Sequence, residues 1–184
     1  FAEIIQLSAE RLMTTINNIV VMSMLQCGEL ELKLAEFRLT SVFESLMYHY
    51  KPEAFKKGLG ISIVNQLNDK QDLVHTDRDV LYYVLSHLMN NAIKFTKEGG
   101  IEIGAQPTAE GVRVSVKDTG IGIPITRQKD IFKKFTQADF SSTRQFEGSG
   151  LGLSIAAEYV SKLQSEIKLN SEEGQGAEFY IVLP

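Results

Sequence analysis

Two glycine-rich stretches decide the fold that we expect: Asp118-Thr119-Gly120-Ile121-Gly122-Ile123-Pro124 and Gly148-Ser149-Gly150-Leu151-Gly152-Leu153. Each stretch alone is weak evidence, because glycine supplies left-handed turns in any loop. Here, however, both follow a helical pattern that contains Asn90-Asn91. This ordered set of three indicates a site that holds a nucleotide.

Composition restricts the classes of protein that the chain can belong to. Its 184 residues are 43% hydrophobic and 23% charged, which is typical of a globular protein with one core and an appendage. The longest apolar run, near Ile19 to Leu25, is far shorter than the roughly 20 residues that cross a bilayer, so we expect no membrane contact. The net charge of −4 argues against broad binding of nucleic acid. A single cysteine, Cys27, excludes an internal disulfide and favours a reducing, cytoplasmic location.

The first 27 residues predict one long amphipathic helix that ends before Gly28. Its apolar positions recur at helical steps, at Phe1, Ile5, Leu12, Ile16 and Ile19. Such a helix is about 40 Å long, more than a domain of this size covers. It either lies on its own domain or, as we favour, packs against a helix outside this chain or in a second subunit. The chain opens without an initiator Met or a signal-peptide pattern, which we interpret as part of a longer protein.

The rest of the pattern predicts an α+β protein. Gly28 to about Thr40 suits an extended linker or edge strand, and we set a domain boundary near residue 35. Beyond it we predict helices near 40–57, 77–95 and 151–163, and strands near 61–66, 72–75, 101–106, 112–118, 166–170 and 177–183. Strands and helices joined by short turns indicate a two-layer α/β sandwich, with a mixed, mostly antiparallel sheet and the helices on one face.

Polar residues on the 77–95 helix are candidates for metal and phosphate binding. His87, Asn91 and Lys94 share one side at i, i+4 and i+7. An amide oxygen suits Mg²⁺, and a lysine brings a point charge to a phosphate. We therefore assign Asn91 to Mg²⁺ and Lys94 to phosphate. An isolated Asn or Lys on a helix is more often only solvated. Only the neighbouring motifs favour the functional interpretation of these two residues.

Asp118 is the candidate for recognition of the base. It ends a strand in which Val112, Val114 and Val116 alternate inward. A carboxylate there accepts a hydrogen bond from the amino group of adenine and opposes the keto oxygen of guanine. An ordinary turn is the alternative for this segment alone. On the functional interpretation, Gly120 and Gly122 let the backbone approach the base, and Ile123 with Pro124 walls the pocket.

The second glycine stretch is the candidate phosphate site. Gly148, Gly150 and Gly152 precede a helix that begins near Leu151, and amides at a helix N-terminus receive phosphate oxygens. Between the two stretches, Phe132 and Phe135 are apolar anchors for a lid. Ser141, Ser142, Thr143 and Arg144 lie where phosphates would be met, with a solvated loop as the alternative.

Over essentially its full length, the chain resembles the ATP-binding catalytic region of a bacterial sensor histidine kinase, with the Bergerat fold of the GHKL ATPase superfamily. The matching segments occur in the family's order: His87–Thr96, Asp118–Pro124, Ile131–Asp139, Glu147–Leu153 and Glu173–Phe179. The resemblance implies ATP and Mg²⁺ as ligands, Asn91 as the metal ligand and a lid at residues 125–147. The implied nucleotide contacts are Asn91, Lys94, Phe95, Asp118, Gly120, Gly122, Ile123, Arg144, Gly148, Gly150, Leu151 and Gly152.

The same resemblance implies an activity and partners. Residues 1–34 resemble the second helix of the dimerisation and phosphoacceptor hairpin plus a linker, and residues 35–184 the ATP-binding domain. The implied reaction gives the γ-phosphoryl group of ATP to a histidine on that hairpin, with a response-regulator or receiver domain as a further partner. The full-length protein is expected to be a homodimer, and membrane anchoring would be compatible with it. His49, His75 and His87 are not followed by the acidic residue that follows the acceptor in this family, so we expect this chain to bind ATP without phosphorylating itself.

Two departures and two alternatives accompany the resemblance. His87 stands where many relatives carry Asn, and Gln164-Ser165 replaces a common Gly-Gly turn. One alternative is an ATP-driven conformational clamp, as in chaperone, topoisomerase and mismatch-repair relatives. Those proteins place a glutamate four residues before the metal-binding Asn, where this chain has His87. The other is a non-catalytic signalling domain, which the intact glycines, Asp118 and Asn91 argue against.

Overall fold

The computed structural model describes residues 2–27, 31–134 and 150–184. Four helices and seven strands lie within these ranges. In chain order they are α1 (Ala2–Cys27), β1 (Leu34–Arg38), α2 (Leu39–Lys56), β2 (Gly60–Asn65), β3 (Leu73–Asp77), α3 (Arg78–Phe95), β4 (Gly100–Thr108), β5 (Gly111–Asp118), α4 (Gly152–Lys162), β6 (Lys168–Ser171) and β7 (Ala177–Leu183). Beyond residue 40, every predicted helix and strand has a counterpart, with ends that differ by a few residues.

A five-stranded sheet forms one layer of the fold. Its order is β2-β4-β5-β7-β6, with β2 and β4 parallel and the other pairs antiparallel. The prediction of a mixed, mostly antiparallel sheet is therefore confirmed. Helices α2, α3 and α4 form the second layer, in which α3 lies centrally because it contacts both α2 and α4.

The core lies between these two layers and follows the expected periodicities. On β7, Ala177, Phe179, Ile181 and Leu183 are buried, in alternation with half-buried residues. Helix α3 buries one apolar face: Val80, Leu81, Val84, Leu85, Leu88, Met89, Ala92 and Ile93. Because this face fixes the rotation of α3, it also fixes the direction in which the polar residues of the helix project.

A second, two-stranded sheet of β1 and β3 was not predicted. The strands pair antiparallel, with Leu34 opposite Asp77. The Asp77 carboxylate caps α3 by accepting hydrogen bonds from the amides of Asp79 and Val80, both at 3.0 Å. Asp72 does the same for α2 from a distance in sequence, accepting the Thr40 amide at 3.0 Å. These two buried carboxylates join the small sheet to the helix layer.

Helix α1 packs on the domain through its C-terminal end. Met22 and Leu25 are buried in the core, and α1 contacts α4. Nearer the N-terminus of the helix, Leu12, Ile16 and Ile19 are exposed, and Leu12 is 61% exposed. One end thus lies on its own domain, and the exposed stripe leaves room for a partner helix. No helix in the described ranges is both long and apolar enough to cross a membrane.

Candidate nucleotide-binding site

The C-terminal half of α3 brings the two glycine stretches together. The Phe95 carbonyl accepts a hydrogen bond from the Ile121 amide at 3.3 Å, which attaches the first stretch. The second stretch meets α3 at His87, because a Cβ on Gly152 would lie 2.7 Å from His87 Nδ1. Residues eight positions apart on a helix are separated by about 12 Å along its axis. The candidate site is therefore an elongated region beside α3.

Asp118 lies at the end of this region where the first glycine stretch is attached, and it is 7% exposed. As the last residue of β5 it is paired with Ile101 on one side and Ala177 on the other. Its Oδ1 accepts the Gly120 amide at 2.8 Å. Burial raises the pKa of the Asp118 carboxyl, while hydrogen bonds from the backbone of Gly120 and Ala177 lower it. The result is a buried acceptor with a fixed orientation, as recognition of an adenine amino group requires.

Gly120 and Gly122 both lie close to backbone carbonyls of the protein itself. A Cβ on Gly120 would lie 2.5 Å from the Phe95 carbonyl oxygen and 2.8 Å from Asp118 Oδ1, so a side chain there would disturb both the end of α3 and the Asp118 carboxylate. Gly122 has φ of +67°, and its Cβ would lie 1.9 Å from the Glu172 carbonyl oxygen. The close approach at Gly122 is therefore explained by contact with the protein's own backbone.

The two adjacent asparagines on α3 have separate environments. Asn90 Nδ2 donates to the Tyr50 hydroxyl at 2.9 Å, which ties α3 to α2. Asn91 is half-buried and makes no side-chain hydrogen bond within the described part of the chain. Lys94 Nζ lies 5.0 Å from the ring centroid of Phe95, and burial lowers the pKa of the Lys94 ammonium. Asn91 is thus the asparagine with an uncommitted amide.

At the other end of the region, α4 begins at Gly152 with no side-chain cap among the described residues. Gly150 has φ of +66°. Leu151 is 2% exposed, so any contact with a phosphate would have to come from its backbone. Backbone amides at a helix N-terminus are donors for an anion. The predicted contacts Arg144 and Gly148 lie outside the described residues, as do Phe135 and residues 141–143.

Residues 76–184 match the family described as histidine kinase-, DNA gyrase B-, and HSP90-like ATPase. The chain belongs to this ATPase family. Autoinducer 2 sensor kinase/phosphatase LuxQ of Vibrio vulnificus strain YJ016 is 36% identical over 183 residues, which cover 96% of this chain and 21% of LuxQ. The chain thus spans about a fifth of the length of the curated relatives that it matches.

Two solved structures are similar to this member of the ATPase family. Full-length ShkA in complex with AMPPNP has a TM-score of 0.85 and 29% identity, over 96% of this chain and 36% of ShkA. The structure of ThkA in complex with the response regulator protein TrrA has a TM-score of 0.77 and 26% identity. The match covers 98% of this chain and 49% of the matched chain in that structure. The Bergerat fold that the sequence predicts is therefore confirmed.

His87 has an environment that its sequence pattern did not reveal. Its ring lies edge-on to Tyr83, with ring centroids 4.6 Å apart, and Tyr83 in turn meets Tyr159 at 4.9 Å. Burial lowers the pKa of His87 to about 4. The imidazole is therefore neutral near pH 7 in the chain without a ligand. In this ATPase domain, the His87 ring fills the space beside Gly152.

The first part of the predicted lid is attached to the sheet. The Phe132 ring packs against Phe179, with ring centroids 6.4 Å apart, so it is an apolar anchor as predicted. Gln128 Nε2 donates to the carbonyls of Ile123 and Ser171. Neither Gln128 nor Ser171 was singled out in the sequence, because a lone polar residue in a loop or at the end of a strand carries no pattern.

The chemistry of the donor groups fits ATP with Mg²⁺. Mg²⁺ keeps several waters and takes one or two protein oxygens together with phosphate oxygens of the nucleotide. The half-buried amide of Asn91 would supply one such oxygen. No group of three or more His, Cys, Asp or Glu residues that could hold an ion by itself occurs in the ranges the structure describes. The metal would accordingly be held jointly by Asn91 and the nucleotide.

Proposed function

We propose that this chain is the ATP-binding module of a sensor histidine kinase, which places the γ-phosphoryl group of ATP for transfer to a histidine. The observation that carries the proposal is the buried Asp118 carboxylate, oriented by the Gly120 amide at 2.8 Å beside the polar end of α3. The similarity to the sensor kinase LuxQ over 96% of the chain supports the kinase assignment within the ATPase family.

Several of the predicted contacts have a specific role in this proposal. Asp118 accepts the adenine amino group, and Ile123 walls the base. Lys94 meets a phosphate, and the amides of Gly150–Gly152 meet another. Asn91 holds Mg²⁺, which when bound neutralises phosphate charge. Phosphoryl transfer depends mainly on positioning and charge neutralisation, so these binding groups supply most of what the module contributes.

The attacking group is assigned to a partner element. A neutral histidine nitrogen attacks the γ-phosphorus, the bond to the β,γ-bridging oxygen breaks, and ADP leaves. We assign this nitrogen to a phosphoacceptor hairpin to which residues 1–34 contribute one helix, with residues 35–184 as the ATP-binding domain. His87 is unsuited to the role, because its ring is packed between Tyr83 and Gly152.

The partners follow from this assignment. The exposed apolar stripe of α1, from Leu12 to Val20, suits the paired helices of a homodimer. A response-regulator or receiver domain is the expected next acceptor of the phosphoryl group, and the ThkA complex with TrrA supports this expectation. We place the module in the cytoplasm, where ATP and a response regulator would meet it.

Transfer in trans tests the proposal. The chain is incubated with γ-labelled ATP, Mg²⁺ and a purified phosphoacceptor hairpin, and label on the hairpin is measured. We expect label on the hairpin and none on the chain itself. ADP release without a labelled hairpin would instead favour the ATP-driven clamp, although the lack of a carboxylate at position 87 disfavours it. Equal affinity for ATP and GTP in calorimetric titration would contradict the role of Asp118.

A further inference from the structure

We propose that Ser171 and Gln128 are positioning residues of the nucleotide pocket, which hold the backbone of Ile123 where it walls the base. This inference rests on the proposed function. It assigns a role to two side chains that belong to neither glycine stretch.

Both backbone polar groups of Ile123 are bound by these side chains. The Ile123 amide donates to Ser171 Oγ at 2.8 Å, and the Ile123 carbonyl accepts from Gln128 Nε2 at 2.9 Å. Gln128 Nε2 also donates to the Ser171 carbonyl at 2.8 Å, which closes the set. Ile123 lies in no helix or strand, so these bonds replace the ladder that would otherwise fix its backbone.

The Ser171 hydroxyl serves two neighbours at once. While it accepts from Ile123, it donates to the Gly176 carbonyl at 2.7 Å. Gly176 in turn lies against the end of β5, since its Cβ would be 2.0 Å from the Asp118 carbonyl oxygen. One hydroxyl thus connects the residue that walls the pocket to the strand that carries the base-selecting carboxylate.

The turn between β6 and β7 also contacts the loop that contains Ile123, at two further positions. The Gly174 amide donates to the Ile121 carbonyl at 2.7 Å. Gly122 is pressed against the Glu172 carbonyl. These backbone contacts place the turn alongside residues 121–123, but they do not hold Ile123 itself. Ser171 and Gln128 supply that final restraint.

The expected consequence is specific to the base end of the site. Displacement of Ile123 affects contacts shared by adenosine, ADP and ATP, whereas the start of α4 lies at the other end of the site, beside His87. Loss of either side chain should therefore weaken adenosine and ADP by the same factor. A net hydrogen bond corresponds to a loss of about 3–10-fold in affinity.

The test compares Ser171→Ala and Gln128→Ala with two matched controls. Ser171→Thr keeps the hydroxyl, and Lys129→Ala alters an exposed neighbour of Gln128. Affinities for adenosine and ADP are measured by calorimetry, and hydrogen exchange at the Ile123 amide is measured without nucleotide. We expect faster exchange and about 3–10-fold weaker binding of both ligands in the alanine variants, and values near wild type in the controls.

The outcomes separate this inference from the proposed function. If the wild-type chain binds ADP, and both alanine variants have the same affinities as the wild type or the same hydrogen exchange at the Ile123 amide, the positioning role alone is overturned. A loss confined to ADP, with adenosine unaffected, also overturns it. A wild-type chain that binds no adenine nucleotide overturns the proposed function, and this role with it.

Discussion

Gly152 leaves the space that the imidazole of His87 occupies, since a Cβ at position 152 would lie 2.7 Å from Nδ1 and 2.9 Å from Cε1. The start of α4 can approach α3 only because one partner lacks a side chain. The sequence places these residues far apart, in two motifs that would each be interpreted as ligand contacts. In the structure they are also contacts with each other.

Gly152→Ala should push α4 and His87 apart. We expect a loss of about 1–3 kcal/mol in the free energy of unfolding, which is typical of overpacking, together with weaker ADP binding. Urea unfolding and calorimetry measure the two effects. The matched control is Gly60→Ala, where the nearest atom lies at an ordinary 3.7 Å. Adding His87→Ala should recover part of the loss, and strictly additive effects would contradict the contact.

The burial of His87 predicts a dependence of stability on pH. The unfolded chain binds a proton at this residue with a pKa of about 6.5, and the folded chain with a pKa of about 4. Between these values the unfolded state holds more protons, so the free energy of unfolding falls as pH is lowered. The expected loss from His87 between pH 7.5 and pH 5 is about 2 kcal/mol.

His87→Asn removes this titration while leaving the carboxylates unchanged. Urea unfolding at both pH values should show a smaller decrease for the variant than for the wild type. Identical decreases would mean that His87 is not buried in its neutral form.

Asp118→Asn should weaken ADP binding by about one to two decades, because a hydrogen bond to a charged group is lost. The fold should persist, since an asparagine Oδ1 still accepts the Gly120 amide. Its Nδ2, however, would face the adenine amino group, so two donors would be opposed. Calorimetry measures the affinity, with the exposed neighbour Lys117→Gln as the control. An unchanged affinity would refute base recognition by this carboxylate.

Asp77→Ala should destabilise the domain without a direct effect on the nucleotide. It removes the cap of α3 and the hydrogen bond from the Lys33 amide to Oδ2, at 2.7 Å. Loss of a cap corresponds to about 0.5–2 kcal/mol in the free energy of unfolding. Asp77→Asn keeps the capping oxygen and should lose less in urea unfolding. Equal losses in the two variants would show that the cap is not the stabilising contact.

The elements of the main sheet could be predicted because their signals are local. Alternation on β5 and β7, the apolar face of α3 and the glycine stretches all occur within short windows. Their assembly into one region beside α3 was implied by the family resemblance, and the structure confirms that Phe95 and His87 contact the two stretches.

What escaped the sequence depends on contacts between distant residues. The pairing of Leu34 with Asp77 and the capping of α2 by Asp72 join positions that no periodicity relates. The helical spacing singled out Asn91, but it did not reveal that the neighbouring Asn90 is bound to the Tyr50 hydroxyl. Such specificity arises from packing, which overrides local pattern.

The position of β7 has a consequence for any truncation of the domain. This strand follows β6 in the chain, yet it lies between β5 and β6 in the sheet. Its first residue, Ala177, pairs with Asp118 at the end of β5, and the preceding Gly176 lies against the Asp118 carbonyl. Removal of β7 would leave that carboxylate without one side of its environment, although the strand lies far from Asp118 in sequence. A shortened version of the domain that is meant to bind a nucleotide therefore has to retain β7.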